Sequence, residues 1–144
     1  MSDGFAALAR ELPPPSRRGV LLIDPSYELK TDYAKVVAAL REALQRFATG
    51  TVIVWYPQLQ LVEAAQLPRR LKAAAQAATK GWLHAGLHVA PAGEGGFGMT
   101  GSGVFVVNPP WTLHDTLQQV LPVLVQRLGQ YAGARFALER HAGP

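Results

Sequence analysis

Two short stretches place a polar acceptor ahead of proline and an aromatic ring: Asp24-Pro25-Ser26-Tyr27 and Asn108-Pro109-Pro110-Trp111. An exocyclic amine on an aromatic base is a weak nucleophile, because its lone pair is delocalised into the ring. A carboxylate and a backbone carbonyl that accept its two N–H bonds favour the pyramidal, more nucleophilic nitrogen. An adjacent aromatic offers a face on which a flipped base stacks. Such a set suits methyl transfer to an amine. The plain alternative is a turn, where Asp, Asn and Pro are common in any case.

The two stretches differ in where the chain puts them. "GVLLID" (19–24) is a continuous apolar run, as expected of a parallel strand buried on both faces. A helix follows over 31–50, with Tyr33, Val36, Val37, Leu40, Leu44 and Phe47 at helical spacing, Thr31 as its cap and Gly50 as its left-handed end. Asp24 thus lies at the C-terminal end of a strand and before a helix, where open α/β sheets hold their ligands. "TVIVWY" (51–56) is a second strand and 62–81 a second helix, kinked or divided at Pro68. "WLHAGLHVAP" and "VFVVN" are strands joined by a glycine-rich loop with no helix between them, which predicts an antiparallel hairpin. A final helix runs from Thr112 to about Leu128, and the tail is suited to a short edge strand. Asn108 then ends a strand antiparallel to "GVLLID" and points to the other side of the sheet. Its expected role is structural, a rigid Pro-Pro turn with Trp111 packed on the last helix.

Other strings carry less chemistry. Gly93-Glu94-Gly95-Gly96-Phe97-Gly98 matches a GxGxxG spacing, but a strand follows it instead of the helix that a phosphate cradle requires. It reads as a hairpin loop. His84 and His88 share a strand face with no acid or cysteine at metal-ligand spacing, so no metal site is expected. Arg69, Arg70, Lys72 and Lys80 form one basic helix face, and Lys35, Arg41 and Arg46 another. They are solvated faces, or phosphate contacts if the substrate is a nucleic acid.

Composition narrows the class. The 144 residues are 49% hydrophobic and 17% charged, which suits one globular domain with its own core. There is no cysteine, which excludes disulfides, thiolate metal sites and thiol nucleophiles. The net charge of +4 favours a polyanionic partner. No apolar run approaches the roughly 18 residues that cross a bilayer, and the N-terminus lacks a signal-peptide layout. The expected compartment is the cytoplasm.

Three segments in order, "RRGVLLIDPSYELKTDYAKVV", "RFATGTVIVWYP" and "GMTGSGVFVVNPPW", resemble the RlmJ family. Its members are bacterial methyltransferases that act on N6 of one adenine in 23S ribosomal RNA, with S-adenosylmethionine as donor. The resemblance runs from about Asp3 to Trp111 and more loosely to the end. It implies an α/β fold, the C-terminal half of a Rossmann-like (class I) methyltransferase sheet ending in an antiparallel hairpin. It implies Asp24 as the catalytic acid with Pro25, Ser26 and Tyr27 beside it, Asp3 and Gly4 beside the bound donor, and no metal. It also makes Lys35, Arg69, Arg70 and Lys72 the candidates for RNA contacts.

Two departures qualify the resemblance. Ser26 stands where the family motif has a second proline, so the turn loses a fixed φ and gains an N–H. Reduced activity is the expectation. The family's chains are also longer, and the strands and glycine-rich turn that cradle the donor have no counterpart in residues 1–144, which read as one partial domain. Such a half-sheet leaves the edge of "GVLLID" unpaired and predicts self-association or weak stability. The rival expectation is a non-catalytic fragment that binds RNA or a partner chain.

Overall fold

The structure, a computed structural model, describes residues 3–144. In chain order the elements are α1 (Gly4–Glu11), β1 (Val20–Ile23), α2 (Thr31–Arg46), β2 (Thr51–Gln58), α3 (Val62–Ala74), β3 (Trp82–His88), β4 (Gly101–Val107), α4 (Leu113–Leu128) and β5 (Arg135–His141). A single 3-10 turn, Glu94–Gly96, lies in the loop between β3 and β4.

The five strands form one mixed sheet in the order β1-β2-β4-β3-β5. β1 and β2 are parallel; β4 enters antiparallel between β2 and β3, and β5 pairs antiparallel with β3. The expected hairpin is therefore present, and the tail continues past it as a seven-residue edge strand.

Period-two patterning decides which helix covers which face. Val52, Val54 and Tyr56 of β2 point with Phe105 and Val107 of β4 into a core closed by Tyr33, Val36 and Leu40 of α2 and Leu67 and Leu71 of α3. On the opposite face Leu83 and Ala85 of β3 pack against Leu121 of α4, with Leu113, Leu117, Leu124 and Leu138 around them. α4 covers only the β3 end of that face. Val20 and Leu22 of β1 remain 68% and 61% exposed there. The expectation that "GVLLID" is buried on both faces is thus corrected, because among the described residues nothing covers its second face.

Several local expectations also change. α1 has no counterpart in the sequence reading, although Asp3 as its cap, Phe5 and Leu8 at helical spacing and Pro13-Pro14-Pro15 as its stop were all legible. Thr31 is the first helical residue of α2 and not its cap, and the cap position, Lys30, makes no side-chain bond. Gly50 is not left-handed. α2 ends at Phe47, whose ring fills the space a Cβ on Gly50 would need. Pro68 lies inside α3, which runs through it without a break.

Candidate functional site

β1 stops at Ile23, and the next four residues form an irregular turn that leads toward α2. Tyr27 adopts φ 57°, a left-handed conformation that a bulky residue rarely takes. Tertiary contacts hold it there. Its hydroxyl donates to the Trp55 carbonyl at 2.6 Å, and its ring packs against Tyr33 and Trp55 at centroid distances of 5.0 and 6.4 Å. Burial, reinforced by nearby acidic and phenolic groups, raises the Tyr27 phenol well above its ordinary range, so it stays a donor. Left-handed strain of this kind costs about 1–3 kcal/mol, and a fully packed aromatic ring offsets it.

Only 4% of Tyr27 is exposed, so the stacking face expected of it is not presented in this conformation. The ring anchors the turn instead. Ser26 is exposed, and its Oγ accepts from the Glu28 N–H at 3.5 Å, a long contact that restrains the turn less than a proline would.

Asp24 is exposed at the end of β1. With Pro25 it lines an open cavity of about 330 Å³ whose other walls include Asp3, Gly4, Phe5 and Leu22. The two pairs singled out in the sequence, separated by twenty residues, therefore share one cavity. α1 makes this possible. Asp3 caps it, its Oδ1 accepting from the Phe5 N–H at 3.0 Å, and buried Leu8 joins α1 to the main core. Two carboxylates over an apolar floor form a pocket suited to a cationic group with an apolar body. The sulfonium and adenosyl parts of S-adenosylmethionine have that chemistry.

The basic residues are distributed unevenly. Lys35 and Arg69 are exposed and Arg70 is half-buried, so all three keep some access to solvent. Lys72 is different: its Nζ donates to Glu139 Oε1 at 2.5 Å and lies 5.3 Å from the centre of the Trp82 ring. Lys72, also expected among the phosphate contacts, is thus paired within the fold, with 30% of its side chain still exposed.

Glu139 also answers the question of His84. The missing acid comes from β5, 55 residues away: His84 Nδ1 lies 3.2 Å from Glu139 Oε1. His84 Nε2 lies 2.5 Å from the Tyr56 hydroxyl. Gly103 stands opposite Tyr56 in the sheet, and any side chain there would collide with the phenol ring. Burial lowers the His84 pKa against the pull of Glu139, and the Lys72 hydrogen bond lowers that of Glu139. Burial raises Tyr56 to about 12. The neutral imidazole accepts from Tyr56 and donates to Glu139. This cluster fastens β5 to β2, β3 and α3. His88 contacts Tyr131 and Gln58 instead and does not join it.

Asn108 is structural, as its strand direction required. Its Nδ2 donates to the carbonyls of Ala48 and Gly50, each at 2.9 Å, and its Oδ1 accepts from the Lys80 N–H at 2.9 Å. It is buried and left-handed at φ 53°. Trp111, expected to pack on the last helix, is 90% exposed.

Comparison with known proteins bears on the family. The family model described as "Ribosomal RNA large subunit methyltransferase D, RlmJ" matches residues 1–138. The chain is 43% identical over 127 residues to ribosomal RNA large subunit methyltransferase J of Escherichia coli (strain K12), covering 88% of this chain and 44% of that protein. It is 44% identical over 126 residues to the methyltransferase J of Haemophilus influenzae (strain Rd), covering 88% and 43%. The crystal structure of a protein from Legionella pneumophila (strain Philadelphia 1) superposes with a TM-score of 0.83 at 32% identity, over 99% of this chain and 50% of that one. The chain thus spans about half the length of the relatives it matches. With a family match along nearly its whole length and the motif residues gathered at one cavity, the chain belongs to the RlmJ family of ribosomal RNA large subunit methyltransferases.

Proposed function

We propose that this chain carries the amine-activating part of an enzyme that methylates N6 of an adenine in 23S ribosomal RNA. The observation that carries the proposal is the shared cavity of Asp3, Gly4, Asp24 and Pro25 at the C-terminal end of β1. The parallel β1 and β2 with β4 inserted antiparallel read as the C-terminal half of a Rossmann-like methyltransferase sheet, and residues 1–144 as one partial domain of it. A ribosomal RNA substrate places the protein in the cytoplasm, and no helix among the described residues is long and apolar enough to cross a membrane.

In this reading Asp3 and Gly4 lie against the donor, S-adenosylmethionine, which supplies an electrophilic methyl group when bound. Asp24 accepts one N–H of the adenine amine, and a carbonyl of the following turn accepts the other. Together they hold the nitrogen pyramidal, with its lone pair free. Pro25 and the buried Tyr27 keep that carbonyl in place, and Ser26 leaves it less fixed than a second proline would. Lys35, Arg69 and Arg70 contact RNA phosphates. No metal takes part.

Asp24→Ala, made in a protein that contains this chain and methylates 23S ribosomal RNA, should lower methyl transfer by at least about a hundredfold. Unchanged transfer would move the amine site elsewhere. A second reading, a non-catalytic RNA-binding chain, is favoured by one observation: the cavity lies along the edge of β1, which pairs only with β2 among the described residues, and Leu21, Leu22 and Ile23 line it from both faces of that strand. Calorimetric titration of the folded 144-residue chain with S-adenosylmethionine separates the two. Micromolar binding supports a donor site within the chain, and no heat supports the second reading.

A further inference from the structure

Asn108-Pro109-Pro110-Trp111 takes no part in the site at Asp24, yet it builds a surface of its own. β4 runs antiparallel to β2, so Trp111 follows it out at the opposite end of the sheet from Asp24. The indole is 90% exposed, the most exposed large apolar side chain among the described residues. It does not hang on a loose loop. Asn108 is fixed by three hydrogen bonds, two prolines restrict the next φ angles, and the Leu113 N–H donates to the Pro110 carbonyl at 3.0 Å.

The ring stands on the wall of an open groove of about 760 Å³ that also includes Lys80, His114, Arg140 and His141. Among the described residues neither Lys80 nor Arg140 forms an ion pair with a carboxylate. The same hydrogen bond to Asn108 that sets Trp111 also sets the backbone of Lys80. One acid, Asp115, lies close to the His114 ring at 3.6 Å. A rigid, solvent-facing aromatic with unpaired cations on its rim is the arrangement by which proteins hold unpaired nucleotides: a base stacks on the ring, and the cations meet the phosphates.

We propose that Trp111, with Lys80 and Arg140, is a stacking platform for single-stranded RNA, separate from the site at Asp24. The choice of RNA rests on the ribosomal RNA reading above. The platform would hold a segment flanking the target, since the far end of the sheet cannot share a nucleotide with Asp24.

The test is binding without any methyl donor, so failure of methyl transfer at Asp24 and failure of the platform are read separately. A 5′-labelled, mixed-sequence 12-nucleotide single-stranded RNA is titrated with the full chain and followed by fluorescence anisotropy. Trp111→Ala should raise the Kd about tenfold, the usual scale for losing one stacked base. Trp111→Phe should keep it within about threefold of the unsubstituted chain. Lys80→Ala combined with Arg140→Ala should flatten the slope of log K against log salt by about 1.4, or 0.7 for each single-strand phosphate released. Trp111 is exposed, so its removal should leave the far-ultraviolet spectrum and melting unchanged; the Phe and double Ala variants carry the test if it does not. The proposal is overturned if the unsubstituted chain does not bind the RNA, or if Trp111→Ala leaves the Kd unaltered. It is equally overturned if Trp111→Ala abolishes self-association in sedimentation while RNA binding stays as it was, which would assign the surface to a second copy.

Discussion

Two residues at the ends of strands have similar sequence surroundings and opposite fates. Asp24 is exposed at a cavity, whereas Asn108 is buried and uses both polar atoms of its amide within the fold. Ala at 108 would strand two carbonyls and one N–H, and would force a left-handed φ on a residue that does not favour it. Asn108→Ala should cost about 2–4 kcal/mol in urea unfolding. A change below 1 kcal/mol would mean that water replaces the amide. Tyr27 shows the limit of a motif read as a string: an aromatic at the right offset from Asp24 is buried, and its expected exposed face is absent. No sequence signal announced this, because the carbonyl that takes its hydroxyl belongs to Trp55 on another strand.

At the level of elements, β5 is the least apolar strand, mostly exposed, and it is held at one edge of the sheet. Its fastening by Glu139 depends on pH. The groups facing His84 are Tyr56 from β2, Glu139 from β5, Lys72 from α3 and the Phe105 ring from β4. The folded-state pKa values of His84 and of Glu139 are both lowered. A lowered pKa means that the unfolded chain binds more protons, so stability falls as the pH falls. The loss begins below about pH 6.5, where an unfolded histidine takes up its proton, and Glu139 adds to it below its ordinary range near 4.5. Between pH 7.5 and 5.5 the melting temperature should drop, and amide exchange in β5 should rise. Replacing His84 with Gln should remove most of that pH dependence; an equal drop in the variant would place the titrating group elsewhere.

For the whole molecule, the prominent feature is an asymmetric sheet. At one edge β5 is polar; at the other, β1 pairs only with β2 among the described residues and exposes Val20 and Leu22. An apolar strand with a free edge is a template for pairing with another chain. The 144-residue chain should therefore show concentration-dependent association in sedimentation equilibrium, and Leu22→Lys should suppress it with little change in the circular dichroism spectrum. A monomer at every concentration would show that β1 is protected in solution by some other means.

Period and punctuation in the sequence determined most of the elements. Apolar runs of strand length, a 3.6-residue pattern over α2 and the lack of a helix between β3 and β4 are local properties, and they sufficed for a mixed sheet with a hairpin. Strand direction then separated Asp24 from Asn108, because the C-terminal ends of antiparallel strands lie at opposite ends of a sheet. What remained illegible depended on contacts distant along the chain. The meeting of Asp3 with Asp24, the burial of Tyr27 under Trp55 and the supply of Glu139 to His84 each join segments 20 or more residues apart. The engagement of Lys72 and the exposure of Trp111 follow in the same way from which surface a neighbouring element happens to cover. A sequence states which side chains exist and how often they recur; only the packed chain decides which polar groups satisfy one another and which are left for a ligand.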